Sequence, residues 1–473
     1  MKKLFLSLAF IVLAISYSFG QQAKYVFYFI GDGMGVNQVQ GTELFQAELQ
    51  NKIGITPLKF YQFPYITMAT TYSATNGVTD SAASGTALAT GNKTKNGTLG
   101  LLKDWKTKVY SVATWAKDAG RRVGVATSVS VDHATPAAFY AHVPKRGYYH
   151  QIGKDLYDAD FDFYAGSDFR EPVDKKDPNS VNLYDLAGKN GYTIARGYKD
   201  YVAKSKEAKK MILFQTEEAS KNKSRKSIPY AIDRDENDLT LEQITTSAID
   251  FMSKDLSKGF FLMIEGGKID WACHSNDAAT AFREIQDFDN AIKIAYDFYM
   301  QHPDETLIVI TADHETGGMV LGTGAYKLNL QALQYQKVSE DGFTDIVQAL
   351  RKKHNNKVSW EVIQKALKEN FGFWDKLELS EKQTARLKSV YEETFKNQDV
   401  DMTQSEYASN EPIASAAKEI ISEIALIGWT SGGHSAGYVP VCAVGAGAHL
   451  FQGRLDNALI PIRIAEAAGY PQK

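Results

Sequence analysis

Acidic, histidine and hydroxyl side chains recur in this chain where predicted strands end or where the first turn after them begins. Mixed Asp and His ligands favour zinc, whereas carboxylates combined with a hydroxyl favour magnesium. Two zinc ions about 4 Å apart can hold the attacking and leaving oxygens of an in-line displacement, and a serine hydroxyl is activated when it coordinates a metal. The pattern therefore indicates metal-assisted attack by a serine, with the candidate residues Asp32, Ser81, Thr135, Glu265, Asp270, His274, Asp313, His314 and His434.

The candidate nucleophile is Ser81, which lies in the small-residue stretch 79–91, TDSAASGTALATG. Thr79 or Asp80 can cap a helix, the alanines favour one, and Gly91 can end it. A serine in the first turn faces unpaired backbone N–H groups, which attract an oxyanion. A helix of small residues used only for close packing fits the stretch equally well, so the decision rests on the other residues.

Each of the other motifs also has a plainer interpretation when it is taken alone. GDGMG at 31–35 lacks the glycine spacing of a dinucleotide-binding loop, and an isolated Gly-Asp-Gly is ordinarily a turn. Asp270 and His274 have the i, i+4 spacing of two metal ligands on one helix face, which also fits a surface pair. Arg146 can clamp two phosphate oxygens with its planar fork or be a surface charge. Only the whole set favours a metal site.

Strands and helices alternate along the sequence. The alternation of strands and helices predicts either one large α/β domain with insertions or a main domain with a subsidiary one. In such sheets ligands collect at the carboxyl ends of the strands. A capping box at Thr240 and Gln243 predicts a helix through about 253. β-prone apolar runs predict strands at 25–30, 122–127, 161–163, 192–195, 211–214, 260–264, 306–311 and 439–444.

The first twenty residues differ from the rest of the chain. Lys2 and Lys3 precede an apolar run and then small residues, which predicts a secretory signal peptide at 1–20, cleaved near Gly20. The run is too short to span a bilayer comfortably, and no cysteine follows it to carry a lipid. We therefore expect a protein without a membrane span, secreted to the periplasm or the extracellular space, with its functional domain at 21–473.

A second unusual segment extends over about 324–428. Its pattern is helical and charged, with Ser359 and Ser380 as predicted N-caps and Gln383 completing a second capping box. It contains no obvious reactive set. We interpret it as an inserted helical subdomain whose role as a lid, as an interface or as neither is left open by the sequence.

Composition excludes some classes of protein. The formal net charge is −3 and no basic block is present, so nucleic-acid binding is not expected. Cys273 and Cys442 are too few for a disulfide-stapled scaffold. A single bridge between them stays open, although two free buried cysteines are the simpler interpretation.

Several ordered motifs resemble those of the alkaline phosphatases, which are metal-dependent serine phosphomonoesterases. They are TDSAASGTALATG with KNG at 95–97, DHATPAAFYAH with Arg146, EGGKIDWACH, TADHE, and GGH at 432–434. The resemblance covers nearly all of 21–473 and is weakest across 324–428. It implies an α/β fold with a large central mixed, mostly parallel β-sheet flanked by helices on both faces, a homodimer, two Zn2+ and one Mg2+, and hydrolysis of phosphate monoesters.

The resemblance also implies a role for each matched position. Ser81 corresponds to the nucleophile that becomes a phosphoserine, and Arg146 to the residue that clamps two phosphate oxygens. The implied metal ligands are Asp270, His274 and His434 for one zinc, Asp32, Asp313 and His314 for the other, and Asp32, Thr135 and Glu265 for magnesium.

Two positions that vary within the family affect the third metal site. His133 and Trp271 stand where some members carry an aspartate and a lysine. We therefore count Asp80, His133 and Trp271 as neighbours that modulate this site, where Mn2+ or Co2+ is an alternative to Mg2+.

Other functions fit the sequence less well. A phosphodiesterase fits less well, because Arg146 suits the dianion of a monoester, and the sulfatase motif CxPxR is absent. A non-catalytic secreted protein that binds metal or phosphate would have no need of Ser81. A purely structural role for all of these residues, as helix or turn caps, is the remaining alternative.

Overall fold

A computed structural model describes residues 22–222, 226–324, 326–395 and 400–472, so the predicted signal peptide at 1–20 lies outside the described residues. The strands in chain order are β1 (Tyr25–Gly31), β2 (Tyr65–Thr70), β3 (Arg122–Thr127), β4 (Phe163–Gly166), β5 (Tyr192–Arg196), β6 (Lys210–Phe214), β7 (Phe260–Gly266), β8 (Thr306–Thr311), β9 (Glu315–Thr316), β10 (Met319–Leu321), β11 (Thr403–Gln404), β12 (Ser409–Asn410), β13 (Ile427–Trp429), β14 (His434–Ser435), β15 (Val439–Gly445) and β16 (Leu455–Asp456).

The helices in chain order are α1 (Val36–Leu49), α2 (Ser81–Thr90), α3 (Val112–Asp118), α4 (Ala134–Ala137), α5 (Tyr149–Ala159), α6 (Leu183–Lys189), α7 (Tyr198–Lys204), α8 (Glu217–Asn222), α9 (Leu241–Met252), α10 (Lys268–His274), α11 (Ala278–Gln301), α12 (Glu340–Lys353), α13 (Trp360–Phe371), α14 (Glu381–Phe395), α15 (Pro412–Ala425) and α16 (Leu459–Ala468). Short 3-10 turns lie at Phe60–Gln62, Ser253–Asp255, Leu330–Tyr335 and Ala448–Leu450. None of the helices in the described ranges has both the length and the apolar character needed to cross a membrane.

Ten strands form the central sheet, in the order β16-β2-β15-β8-β1-β7-β3-β4-β6-β5. Strand β15 runs antiparallel to both of its neighbours, and the other pairs are parallel. Helices α9, α10 and α11 pack together in one group, and α2, α3 and α16 pack together in another. Each group contacts the sheet at β3 and β7, the first through α9 and the second through α3. The predicted mixed, mostly parallel α/β sheet with helices is confirmed.

The central strands are apolar because helices cover both of their faces. Every residue of β1, β7 and β8 is buried, which matches the continuous apolar runs that predicted them. In the register, Ile30 of β1 pairs with Glu265 of β7 on one side and with Thr311 of β8 on the other. The carboxyl ends of these strands are therefore level, and the residues that follow them meet at one edge of the sheet.

Local signals were confirmed at several helix ends. Thr240 and Gln243 form the capping box of α9, and Ser380 and Gln383 exchange hydrogen bonds of the same kind before α14. Ser359 precedes α13 but forms no side-chain cap. The strand expected at 161–163 corresponds to β4, which begins at Phe163, two residues later than predicted.

The segment 324–428 forms a second apolar cluster. Its described residues include α12 to α15 and the β11–β12 hairpin, and Phe343, Leu367 and Ile420 are fully buried in this cluster. Phe45 and Phe282, from α1 and α11, belong to the same cluster. The segment therefore packs on the main sheet's helices, while its status as an insertion stays a prediction.

Gly33 allows two site-bearing elements to approach closely. Its φ is +71°, and a Cβ there would lie 2.8 Å from the Cα of Asp270. Its backbone N–H donates to Asp313 Oδ1 at 3.1 Å. Only glycine combines this left-handed conformation with so short a distance to the neighbouring backbone.

We expect Gly33→Ala to lower the free energy of unfolding by about 2 kcal/mol or more, because it adds backbone strain and displaces α10. Thermal and denaturant unfolding measure the effect. Gly77→Ala is the matched control, since its Cβ has no atom within 4 Å. Equal stability of the two variants would contradict this account of Gly33.

Candidate active site

Ser81 is the first residue of α2 and is fully buried. The carboxylate of Asp80 caps the helix by accepting a hydrogen bond from the N–H of Ala83 at 3.0 Å. The Oγ atom of Ser81 lies 3.2 Å from Nε2 of His314. The serine therefore stands at a helix N-terminus with its hydroxyl directed at a histidine of the opposite strand end.

Asp80 also fixes Arg146 beside the serine helix. Its Oδ2 atom accepts hydrogen bonds from the Gly97 N–H at 3.0 Å and from Arg146 Nη1 at 3.4 Å. The backbone N–H of Arg146 in turn donates to the Gly97 carbonyl at 2.7 Å. Burial opposes the charged form of Arg146, but nearby Tyr407 and Asp80 outweigh it and raise the pKa of the guanidinium.

Among the described residues, the carboxylates and histidines form three contiguous groups, each compact enough to hold one metal ion. The first and second groups share a histidine, and the second and third share a carboxylate. The three groups are Asp270, His314 and His434; Asp32, Asp313 and His314; and Asp32, His133 and Glu265. His274 adjoins the first, with its Nε2 3.3 Å from Asp270 Oδ2 and 3.1 Å from His434 Nε2.

Three histidine rings are oriented in the same way by oxygen atoms behind them. In each ring Nδ1 faces an oxygen, which favours a proton on Nδ1 and leaves Nε2 as the metal-binding atom. The partners are the carbonyl of Gly432 for His274 at 2.7 Å, the carbonyl of Thr79 for His434 at 2.8 Å, and Thr316 Oγ1 for His314 at 3.2 Å.

The carboxylates at the centre are short of partners. Four of their oxygens are buried without a hydrogen bond from any described residue, namely Asp32 Oδ1, Glu265 Oε1, Asp270 Oδ2 and Asp313 Oδ2. Buried unpaired carboxylate oxygens are costly and are ordinarily satisfied by hydrogen bonds or metal ions. The donor set therefore fits metal ions at this edge of the sheet.

The electrostatics of the site are dominated by buried carboxylates. Burial raises the pKa of Glu265 to about 8, and burial together with the charge of Asp270 raises that of Asp313 to about 7. Burial and three neighbouring carboxylates also raise the pKa of Asp32 well above its ordinary value. Burial raises the pKa of Asp270 too, but His274 and His434 outweigh it and hold it low.

The remaining expected residues lie beside these groups. Thr135 Oγ1 is 3.4 Å from Asp32 Oδ2 and donates to it, and Glu265 accepts a hydrogen bond from Thr127. His133 lies within the third group, and Trp271 packs against it with ring centroids 5.9 Å apart. All residues expected from the sequence thus lie together, while their individual roles stay predictions.

Two residues at the site were missed from the sequence. Thr316 donates to Asp270 Oδ1 at 2.6 Å and also contacts His314, and its position two residues after His314 was an available signal. Tyr407 accepts a hydrogen bond from Arg146 Nη2 at 3.3 Å. It comes from a distant segment whose sequence carries no signal of this contact.

The alkaline phosphatase family model matches residues 23–162 and 180–470. Alkaline phosphatase 3 of Bacillus subtilis is 31% identical over 458 residues, which cover 95% of this chain and 90% of that protein. The crystal structure of a cold-active alkaline phosphatase from a psychrophilic Shewanella is 29% identical, with a TM-score of 0.78 and coverage of 94% of this chain and 99% of the other. The chain belongs to the alkaline phosphatase family, a family of phosphomonoesterases.

A second solved alkaline phosphatase is also similar to this chain. The alkaline phosphatase of the Antarctic bacterium TAB5 is 26% identical, with a TM-score of 0.66 and coverage of 96% of this chain and 100% of the other. A variant of that enzyme, 25% identical, with a TM-score of 0.64 and the same coverage, has Mg bound in the site called M3.

The raised carboxyl pKa values predict a pH-dependent stability of the metal-free protein. A carboxyl whose pKa is higher in the folded than in the unfolded state favours folding while protonated, and this contribution is lost as pH rises through the folded pKa. With pKa values of about 7 for Asp313 and about 8 for Glu265, and about 4 for carboxyls in the unfolded chain, stability should fall from about pH 4 to about pH 8.

Thermal unfolding of chelator-treated protein across this pH range measures the effect. Glu265→Gln should flatten the curve because it removes one of the titrating groups, and added zinc and magnesium should oppose the loss because they favour ionised ligands. Identical pH dependence with and without metals would contradict the interpretation.

Proposed function

We propose that this protein hydrolyses phosphate monoesters to an alcohol and inorganic phosphate through a phosphoserine at Ser81. The observation that carries the proposal is the convergence of the Ser81 hydroxyl, histidine Nε2 atoms and unpartnered carboxylate oxygens beside Arg146. A serine buried in an acidic cluster is a poor nucleophile unless cations balance the charge. The family membership supports the same reaction.

The donor chemistry supports two zinc sites and one magnesium site. Metals bound there would act as Lewis acids that favour the ionised form of an attacking oxygen and stabilise charge on the phosphoryl group. His133 among the third group of ligands makes Mn2+ or Co2+ an alternative to Mg2+. We assign the ligands as the family resemblance implies, so His274 takes the place of His314 in the first compact group and Thr135 that of His133 in the third. The assigned ligands are Asp270, His274 and His434 for the first zinc, Asp32, Asp313 and His314 for the second, and Asp32, Thr135 and Glu265 for magnesium.

The chain's own groups account for binding and nucleophilic attack. Ser81 Oγ loses its proton and bonds to phosphorus as the bond to the leaving oxygen breaks in line with it, and that oxygen takes up a proton as the alcohol departs. Water then bonds to phosphorus and gives a proton to the serine oxygen that it displaces, which restores the hydroxyl and releases phosphate. The backbone N–H groups at the start of α2 favour negative charge on the phosphoryl oxygens. Arg146 binds two of those oxygens with its planar guanidinium, and Asp80 holds the guanidinium in position for this contact.

The alternatives are a phosphodiesterase of the same superfamily and a non-catalytic protein that binds metal or phosphate. Arg146 distinguishes the first, because its two donors and its charge suit the dianionic end of a monoester better than a diester. The second is distinguished by Ser81, whose hydroxyl at 3.2 Å from His314 serves no evident purpose in a binding protein.

Ser81→Ala should reduce phosphate release from a simple aryl phosphomonoester at alkaline pH by about 10³-fold or more, because no covalent intermediate can form. Chelation should abolish turnover and added zinc and magnesium should restore it. The matched control is Ser389→Ala, an exposed serine of α14 that should keep full activity. Absence of monoester turnover in metal-loaded wild type would refute the phosphatase assignment, and diesters would be tested next.

We further propose that residues 1–20 are removed as a signal peptide and that the protein acts as a homodimer outside the cytoplasm. We also propose that 324–428 is an inserted subdomain. The charged start followed by a short apolar run supports the first point. We expect an N-terminus near residue 21 and twice the chain mass in solution. Intact-mass measurement of the exported protein and light scattering test both expectations, and a retained leader or a monomeric mass would contradict them.

A further inference from the structure

The guanidinium of Arg146 has a third partner from a distant part of the chain. Besides Asp80 and His133, it contacts the hydroxyl of Tyr407, which accepts a hydrogen bond from Nη2 at 3.3 Å across 261 positions of sequence. His133 Nε2 lies 3.3 Å from the same nitrogen. Tyr407 stands between β11 and β12, in the hairpin that α14 and α15 flank.

The ring of Tyr407 is held by aromatic neighbours. It stacks on Trp271 with ring centroids 4.5 Å apart and an interplanar angle of 11°. The rings of His133 and His274 meet it at steep angles, with centroids 5.7 and 5.3 Å away. Offset-stacked and edge-on contacts of this kind restrict a ring, so the hydroxyl has a defined position.

The hairpin that carries Tyr407 contacts both the end of α10 and helix α12. Ser405 Oγ lies 3.4 Å from Oγ of Ser275, the residue that follows α10. On the other side Asn410 accepts from Thr344 Oγ1 at 3.0 Å and donates to Asp341 at 3.0 Å, both in α12. The hairpin therefore links the helix that carries Asp270 and His274 to the helical segment.

We propose that Tyr407 is a positioning residue, whose stacked ring and hydroxyl hold the Arg146 guanidinium in the orientation that binds two terminal phosphate oxygens. This inference rests on the proposed phosphatase function. A free arginine side chain samples many rotamers, so a partner that restricts it lowers the ordering cost of phosphate binding. The helical segment 324–428 thereby supplies part of the active site.

The test compares metal-loaded wild type with Tyr407→Phe, which keeps the ring and removes only the hydroxyl. We expect kcat/KM for an aryl phosphomonoester to fall about tenfold and the inhibition constant of inorganic phosphate to rise by a similar factor, because a hydrogen bond to a charged group is lost. Tyr407→Ala should lower kcat/KM further. Hydrolysis of an aryl phosphodiester, which benefits less from the clamp, should change less.

Tyr391→Phe is the matched control. It removes another tyrosine hydroxyl of the helical segment, one that donates to the Val358 carbonyl at 2.9 Å, and it should leave all these constants within about twofold. Zinc and magnesium contents of every variant are measured by metal analysis, so that a loss of metal is not mistaken for a loss of positioning.

A double-mutant cycle decides whether Tyr407 acts through Arg146. In an Arg146→Ala background, Tyr407→Phe should have no further effect on kcat/KM. An undiminished tenfold loss in that background would overturn the inference, as would an active wild type whose Tyr407→Phe variant is equally active. Failure of the proposed function differs from failure of this inference. If the proposed function were wrong, the metal-loaded wild type itself would not release phosphate from a monoester.

Discussion

The main physical constraint on this structure is the mutual repulsion of carboxylates that are buried together at one edge of the sheet. The rest of the fold must overcome that repulsion. Asp32, Glu265, Asp270 and Asp313 are each fully buried, and oxygens of all four have no hydrogen-bond donor among the described residues. Such a cluster disfavours its own ionised form, as the raised pKa values of Glu265 and Asp313 indicate. A rigid scaffold is required to keep these groups adjacent, and cations are required to make the arrangement favourable.

The scaffold supplies that rigidity in two ways. Neighbouring parallel strands end at the same level, and the backbone at Gly33 lies close to the backbone of α10. Level strand ends bring the residues after β1, β7 and β8 to the same place, and the absence of a side chain at Gly33 brings α10 against them. Oxygens behind each histidine set the ring orientation, as carbonyls do for His274 and His434. The candidate site residues are therefore positioned largely by the backbone around them.

Sequence patterns predicted what is local. The apolar runs identified β1, β7 and β8 because these strands are buried on both faces. The acidic and histidine residues near their carboxyl ends were proposed as site residues from their positions together with the family resemblance. Strand β2 was missed because its residues alternate between partly exposed and exposed before Ala69 and so form no continuous buried run. Tyr407 could not be predicted, because its contact with Arg146 depends on packing between segments 261 positions apart.

Ligand sharing among the three groups has a thermodynamic consequence. Asp32 belongs to two of the compact groups and His314 to two, so an ion bound in one group would favour the deprotonated, metal-binding form of a side chain that the next group also uses. Affinities of neighbouring sites are then linked, and each site loses its independence. Binding of an ion at one site should accordingly change the affinity of the next, so a metal titration should differ from that of three separate sites.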